Sequence, residues 1–162
     1  MKTLILFAMT AFPLSAFCAP KVGDTAVYRY SMQNGQDKSD GSETWTITSI
    51  DTEQKMATVN TLRDINGEQT TQTQVLDLVA LQKDKFFEEC MDTKSGYEHE
   101  TVNVAAGTFD TCISGDGAMM PRSWYAAKVT VFGMVKSQQT ANGKVEKFEL
   151  KSFCSACSPQ IK

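Results

Sequence analysis

The run Asn142-Gly143-Lys144-Val145-Glu146-Lys147-Phe148-Glu149-Leu150-Lys151-Ser152-Phe153 decides the fold class. Phe148 and Leu150 fall on one face of an extended chain, and Lys147, Glu149 and Lys151 on the other. That period of two is the mark of a half-buried antiparallel strand. The Asn-Gly pair in front of it tolerates the positive φ angles that a type I′ hairpin turn demands. The run therefore reads as the second arm of a hairpin whose first arm is Val129 to Lys136.

The same grammar recurs towards the N-terminus. Asn34-Gly35 and Asn66-Gly67 repeat the turn dipeptide, and Asp40-Gly41 and Asp116-Gly117 add further turn signals. Ala26, Tyr28, Tyr30 and Met32 share a face opposite Arg29 and Ser31. Trp45 and Ile47 alternate with Thr44, Thr46 and Thr48. Met56 to Leu62 and the threonine-rich Gln69 to Val75 flank Asn66-Gly67 as another hairpin. Lys85 to Met91 and Thr108 to Ser114 also read as strands. Val75 to Leu81 fits either a short helix or an apolar strand, which periodicity does not separate. The pattern predicts an all-β domain of eight to ten strands with at most one or two short helices. A single curved antiparallel sheet or open half-barrel satisfies it, as does a sandwich, since each gives the apolar faces a partner layer or interior.

The first eighteen residues have a different composition. Lys2 precedes the apolar stretch Leu4 to Phe12, Pro13 breaks it, and Ser15-Ala16-Phe17-Cys18-Ala19 follows. This is the order of a cleavable export signal. The apolar stretch falls well short of the roughly 20 residues a membrane-spanning helix needs. Cleavage after Cys18 places small residues, Ala16 and Cys18, at the two positions the peptidase reads; cleavage after Ala16 is the next choice. Lipidation at Cys18 is disfavoured by the bulk of Phe17. The expected organisation is a signal peptide over 1–18 and one exported domain over 19–162, periplasmic or secreted. A domain of that size buries about two-thirds of its unfolded surface.

The chain has 16 Lys and Arg against 19 Asp and Glu, a net charge of −3. The basic residues are scattered, which argues against a nucleic-acid partner. Of five cysteines, Cys90, Cys112, Cys154 and Cys157 remain if Cys18 leaves with the signal. An even number in an exported chain points to disulfides. Pairing Cys90 with Cys112 is slightly preferred, with Cys154 and Cys157 as the second pair; a link from the tail to Cys90 or Cys112 is the alternative. Cys154-Ser155-Ala156-Cys157 has the spacing of a redox site but is followed by only five residues, one a proline, too few for the helix that activates such a thiol. A zinc site on the four cysteines lacks a second close pair. His99, the single histidine, excludes two-histidine metal motifs and is expected to face solvent. No G-x-S-x-G elbow occurs. No metal, cofactor or catalytic group is therefore predicted.

From Glu100 onward a series of motifs appears: Glu100-Thr101-Val102-Asn103-Val104-Ala105-Ala106-Gly107-Thr108-Phe109-Asp110-Thr111, then Trp124-Tyr125-Ala126, Gly133-Met134-Val135-Lys136 and Phe148-Glu149-Leu150. With Val22-Gly23-Asp24 and Tyr28-Arg29-Tyr30 near the start, this order resembles a group of exported bacterial proteins of uncharacterised function. That group is similar to the periplasmic lipoprotein-carrier (LolA/LolB-like) fold. Ala106, where a proline is more usual, and the four cysteines depart from the pattern. The resemblance implies a strongly curved antiparallel sheet around an apolar cavity and carries over no catalytic residue. Tyr28, Tyr30, Trp45, Phe109, Trp124 and Tyr125 are the candidate core or ligand-lining aromatics. The function expected is a non-catalytic binding or accessory module for an apolar or lipid ligand. The alternative is an envelope-interaction protein without a small ligand, and the third reading a thiol-active protein using the C-terminal cysteines.

Overall fold

The structure is a computed structural model and describes residues 19–78, 84–92 and 96–155. Nine antiparallel strands form one open sheet, not closed into a barrel. They are β1 (Thr25–Asn34), β2 (Asp37–Asp51), β3 (Met56–Ile65), β4 (Glu68–Asp77), β5 (His99–Val104), β6 (Gly107–Ser114), β7 (Arg122–Tyr125), β8 (Met134–Ala141) and β9 (Lys144–Cys154). One helix, α1 (Asp84–Met91), lies between β4 and β5. The spatial order is β4-β3-β2-β1-β9-β8-β7-β6-β5. Two meanders thus meet where the first strand pairs with the last, and residues 1–18, where an export signal is expected, lie outside the described residues. No helix among the described residues is long and apolar enough to cross a membrane.

The hairpins follow their turn chemistry. Asn66 and Gly67, at φ 53° and 85°, and Asn142 and Gly143, at 53° and 76°, each fill both positive-φ positions of a two-residue loop. The first hairpin differs. Asn34 already pairs with Asp37, so its loop is Gly35-Gln36, with a positive φ at Gly35 alone. Asp40-Gly41 is not a turn at all: both residues lie inside β2, where Gly41 pairs with Tyr30 on one side and Ile65 on the other.

Curvature comes from register. Register shifts leave Lys151 of β9, Thr48 of β2 and Val135 of β8 unmatched in the β1–β9, β2–β3 and β7–β8 ladders. Each such bulge bends and twists its strand. The inner face carries Ala26, Tyr28, Ile47, Ala57, Val59 and Leu150, all buried. Tyr28 is fully buried and donates its hydroxyl to the Met134 carbonyl at 3.1 Å. Burial pushes its phenol far up, with the Tyr125 and Glu43 charges adding to the effect, so it stays a neutral donor.

Two segments depart from the expected strands. Asp84–Met91 is helical rather than extended, because Phe86, Phe87 and Cys90 lie inward at a helical spacing while Glu88 and Glu89 are exposed. Two adjacent apolar residues fit a helix stripe and defeat strand alternation. Val129 to Gly133 form a loop, and β8 begins only at Met134. Val131, Phe132 and Gly133 hold φ of 57°, 66° and 67°, and bonds from Ala126 N to Gly133 O (2.8 Å) and Val129 N to Ala126 O (3.1 Å) close the loop. The left-handed conformation is costly for a β-branched valine, and burial of Val129 and Val131 offsets it. The ambiguous Val75–Leu81 segment is strand through Asp77; residues 79–81 lie outside the described set.

Cys90 and Cys112 form a disulfide across 22 positions of sequence, tying α1 to β6. Cys154 is disulfide-bonded as well; Cys157 lies outside the described residues.

The loop between β6 and β7 is held by one side chain. Asp116 Oδ1 accepts the amides of Ala118, Met119 and Met120 at 2.9, 3.0 and 3.1 Å. These bonds, that from Met120 first, hold the carboxyl below the usual aspartate value. A depressed pKa supports the native loop above the unfolded-state value and withdraws that support as pH falls through the folded one. The three amide chemical shifts are expected to move together with a midpoint below that of an unperturbed aspartate. A midpoint at or above it would show that the carboxylate does not hold the loop.

Candidate groove on the inner face

Cross-strand register brings the site together. On the inner face Glu43 pairs with Arg63, Trp45 with Thr61 and Ile47 with Val59. On the next ladder Arg63 pairs with Thr70, Thr61 with Gln72, Val59 with Gln74 and Ala57 with Leu76. The opposite wall comes from the far half of the chain, as Tyr125, Phe132 and Met134. Between them lies a groove of about 660 Å³, within the range of small-molecule sites.

Glu43 anchors the groove. It is only 4% exposed, yet it accepts Trp45 Nε1 at 2.5 Å through one oxygen and Arg63 Nε at 2.5 Å through the other. A buried carboxylate is tolerated when it is paired and hydrogen-bonded in this way. The guanidinium of Arg63 also lies 5.4 Å from the centre of the Tyr30 ring, a cation–π distance. Trp45 packs edge-on against Phe132 at 4.9 Å, so the left-handed loop before β8 supplies a groove aromatic. Tyr125 is backed by Phe86 of α1 at 5.8 Å. Beside the polar end, Tyr30 donates its hydroxyl to Glu146 Oε1 at 3.2 Å. The Lys144 contact first, and then the Tyr30 hydroxyl, hold the Glu146 carboxyl below the ordinary glutamate value.

The candidate aromatics divide. Trp45 and Tyr125 line the groove. Tyr28, Tyr30, Phe109 and Trp124 are buried; Trp124 donates Nε1 to Glu100 Oε1 at 2.7 Å, and Phe109 packs 6.1 Å from Phe153. His99 opens β5 and is exposed. Among the described residues no cluster of three or more His, Cys, Asp or Glu has the arrangement to hold a metal ion. The alternation around Trp45 does not single out Glu43 or Arg63, and the apolar run Val129 to Lys136 places Phe132 in a strand, whereas β8 begins only at Met134. The one available signal was charge at inward positions: Glu43 precedes Trp45 by two, as an inward-facing strand residue does.

The molecule is thus an open antiparallel sheet of nine strands with a groove on its inner face. No family model matches the chain, and no curated protein matches it. Among solved structures it is similar to that described as the crystal structure of MucB in complex with MucA(peri), with a TM-score of 0.46 and 10% identity over 87% of this chain and 53% of that one. A second is the complex structure of Pseudomonas aeruginosa MucA/MucB, with a TM-score of 0.45 and 11% identity over 85% of this chain and 54% of that one. The chain spans about half the length of those it matches.

Proposed function

We propose that this chain is an exported, non-catalytic binding module, periplasmic or secreted, whose curved sheet holds an apolar or lipid ligand in the inner groove. The observation that carries the reading is the groove itself: a space of about 660 Å³ whose apolar wall is Trp45, Val59, Leu76, Tyr125, Phe132 and Met134 and whose polar side is Glu43, Arg63 and the Thr and Gln side chains of β3 and β4, open to solvent along β4. Apolar walls with a few fixed polar groups are the usual composition of a small-ligand site. The Cys90–Cys112 link fits an oxidising compartment, as does the signal-like N-terminus.

Trp45→Ala and Phe132→Ala are each expected to weaken uptake of a fluorescent lipid by roughly tenfold, the loss of one well-packed aromatic contact. Native mass spectrometry of protein purified from its own cells should show a bound lipid. Protein that carries none and takes up no fluorescent lipid would overturn the reading.

A second reading, an envelope-interaction protein without a small ligand, is favoured by a different observation. β4 is an edge strand of ten residues, exposed from Glu68 to Val75 and bonded to β3 on one side. An edge of that length is a template for an added strand from a partner. Crosslinks from Thr71 or Thr73 to one envelope protein, together with an empty groove, would select it.

A further inference from the structure

The groove changes character along its length, and the strand registers give the coordinate. At one end stand Val59 and Leu76, with their ladder partners Ile47 and Ala57 buried behind them. In the middle Trp45 faces Thr61 and Gln72. At the other end Glu43, Arg63 and Thr70 form a row of polar groups. Val59 and Arg63 are four strand residues apart, roughly 13 Å at the usual rise. A ligand that is apolar throughout would cover the terminal nitrogens of Arg63 without bonding them; one that is polar throughout would leave the apolar row unmatched.

Arg63 is the group in that row prepared to meet a ligand. Its Nε is held by Glu43 and its central carbon lies 5.4 Å from the centre of the Tyr30 ring, two contacts that restrain the guanidinium before anything binds. Among the described residues, no hydrogen bond engages its terminal nitrogens, and the side chain is 43% exposed. Two terminal N–H groups on one planar edge match the two oxygens of a carboxylate. Glu43 and Glu146 both act on the same neighbourhood, so a singly charged head meets less repulsion there than a phosphate.

We propose that the ligand is a single-chain fatty acid anion, its carboxylate on the terminal nitrogens of Arg63 and its chain running past Trp45 and Phe132 towards Val59 and Leu76. This rests on the groove being a ligand site. The test uses the full exported domain, stripped of lipid, and follows displacement of a neutral naphthylamine dye by dodecanoate, dodecanol and dodecyl phosphate, all below their micelle concentrations. Dodecanoate is expected to compete at about a tenfold lower concentration than dodecanol. In Arg63→Gln the ratio falls to about one. Glu43→Gln combined with Arg63→Gln gives the same result without leaving a buried carboxylate unpaired, and its melting curve reports whether the fold is intact. Equal competition by dodecanoate and dodecanol in the unaltered protein overturns the carboxylate assignment while the groove reading stands. Stronger competition by dodecyl phosphate overturns the choice of head group. Failure of the dye and of all three amphiphiles to bind overturns the groove reading and this proposal together.

Discussion

Gly41→Ala is expected to destabilise the domain by about 2–3 kcal/mol, the upper end for forcing one extra carbon into a packed site. A Cβ on Gly41 would lie 2.0 Å from the Asp64 carbonyl oxygen and 3.0 Å from both the Asp64 carbonyl carbon and Ile65 Cα. All three are backbone atoms of the paired strand, so no side chain can swing away to make room. The β2–β3 ladder has to open at the end away from its own turn, where Gly41 pairs with Ile65. That end carries the Glu43–Arg63 pair two residues further along, so the polar end of the groove should loosen with it. Gly143→Ala is the useful comparison. Its Cβ meets nothing within 4 Å and its φ is 76°, so its cost is the left-handed conformation alone, about 1 kcal/mol. Urea unfolding of both variants tests the difference, and a Gly41→Ala loss no larger than that of Gly143→Ala would sink the close-approach argument.

Replacing Cys90 and Cys112 together by serine should cost about 3–4 kcal/mol. The loop-entropy relation gives that figure for a closure of this length, and the sequence separation is 22. For a domain of this size the melting temperature should fall by roughly 10 °C. Both cysteines are fully buried, so a reductant should act on the folded protein only through opening. Reduction at the rate of an exposed peptide disulfide would contradict that burial. The loss should reach the groove too: Cys112 pairs with Tyr125 across β6 and β7, and α1 backs Tyr125 through Phe86. An unchanged melting temperature in the double variant would mean that the link constrains little.

The sheet was legible in the sequence because its strands are half-buried and alternate. Asn66-Gly67 and Asn142-Gly143 marked their turns because two consecutive positive φ angles exclude most other pairs. The failures have local causes. Asp40-Gly41 carries a turn dipeptide, but the glycine there serves a close backbone approach, which reads the same in one dimension. Phe86-Phe87 interrupts alternation and signalled a helix that the surrounding strands obscured. The apolar run at Val129–Phe132 looked like a strand because burial demands apolar residues whatever the backbone does. The groove was the least legible part. Trp45 and Tyr125 stood out by size, but Arg63, Thr70 and Phe132 meet only through the registers of separate ladders and a left-handed loop, neither of which a local pattern encodes.

The pairing of β1 with β9 has a consequence for how the molecule comes into being. Tyr28 lies opposite Leu150 and Ala26 opposite Phe153, so the middle of the sheet joins residues far apart in sequence. Such pairings raise contact order and slow folding. A chain emerging N-terminus first can form the β1–β4 meander early, but β1 keeps a bare edge until the last strand arrives. An exposed edge of this kind recruits other strands. A chain held extended until it has crossed a membrane, and released whole on the far side, has both strands available at once.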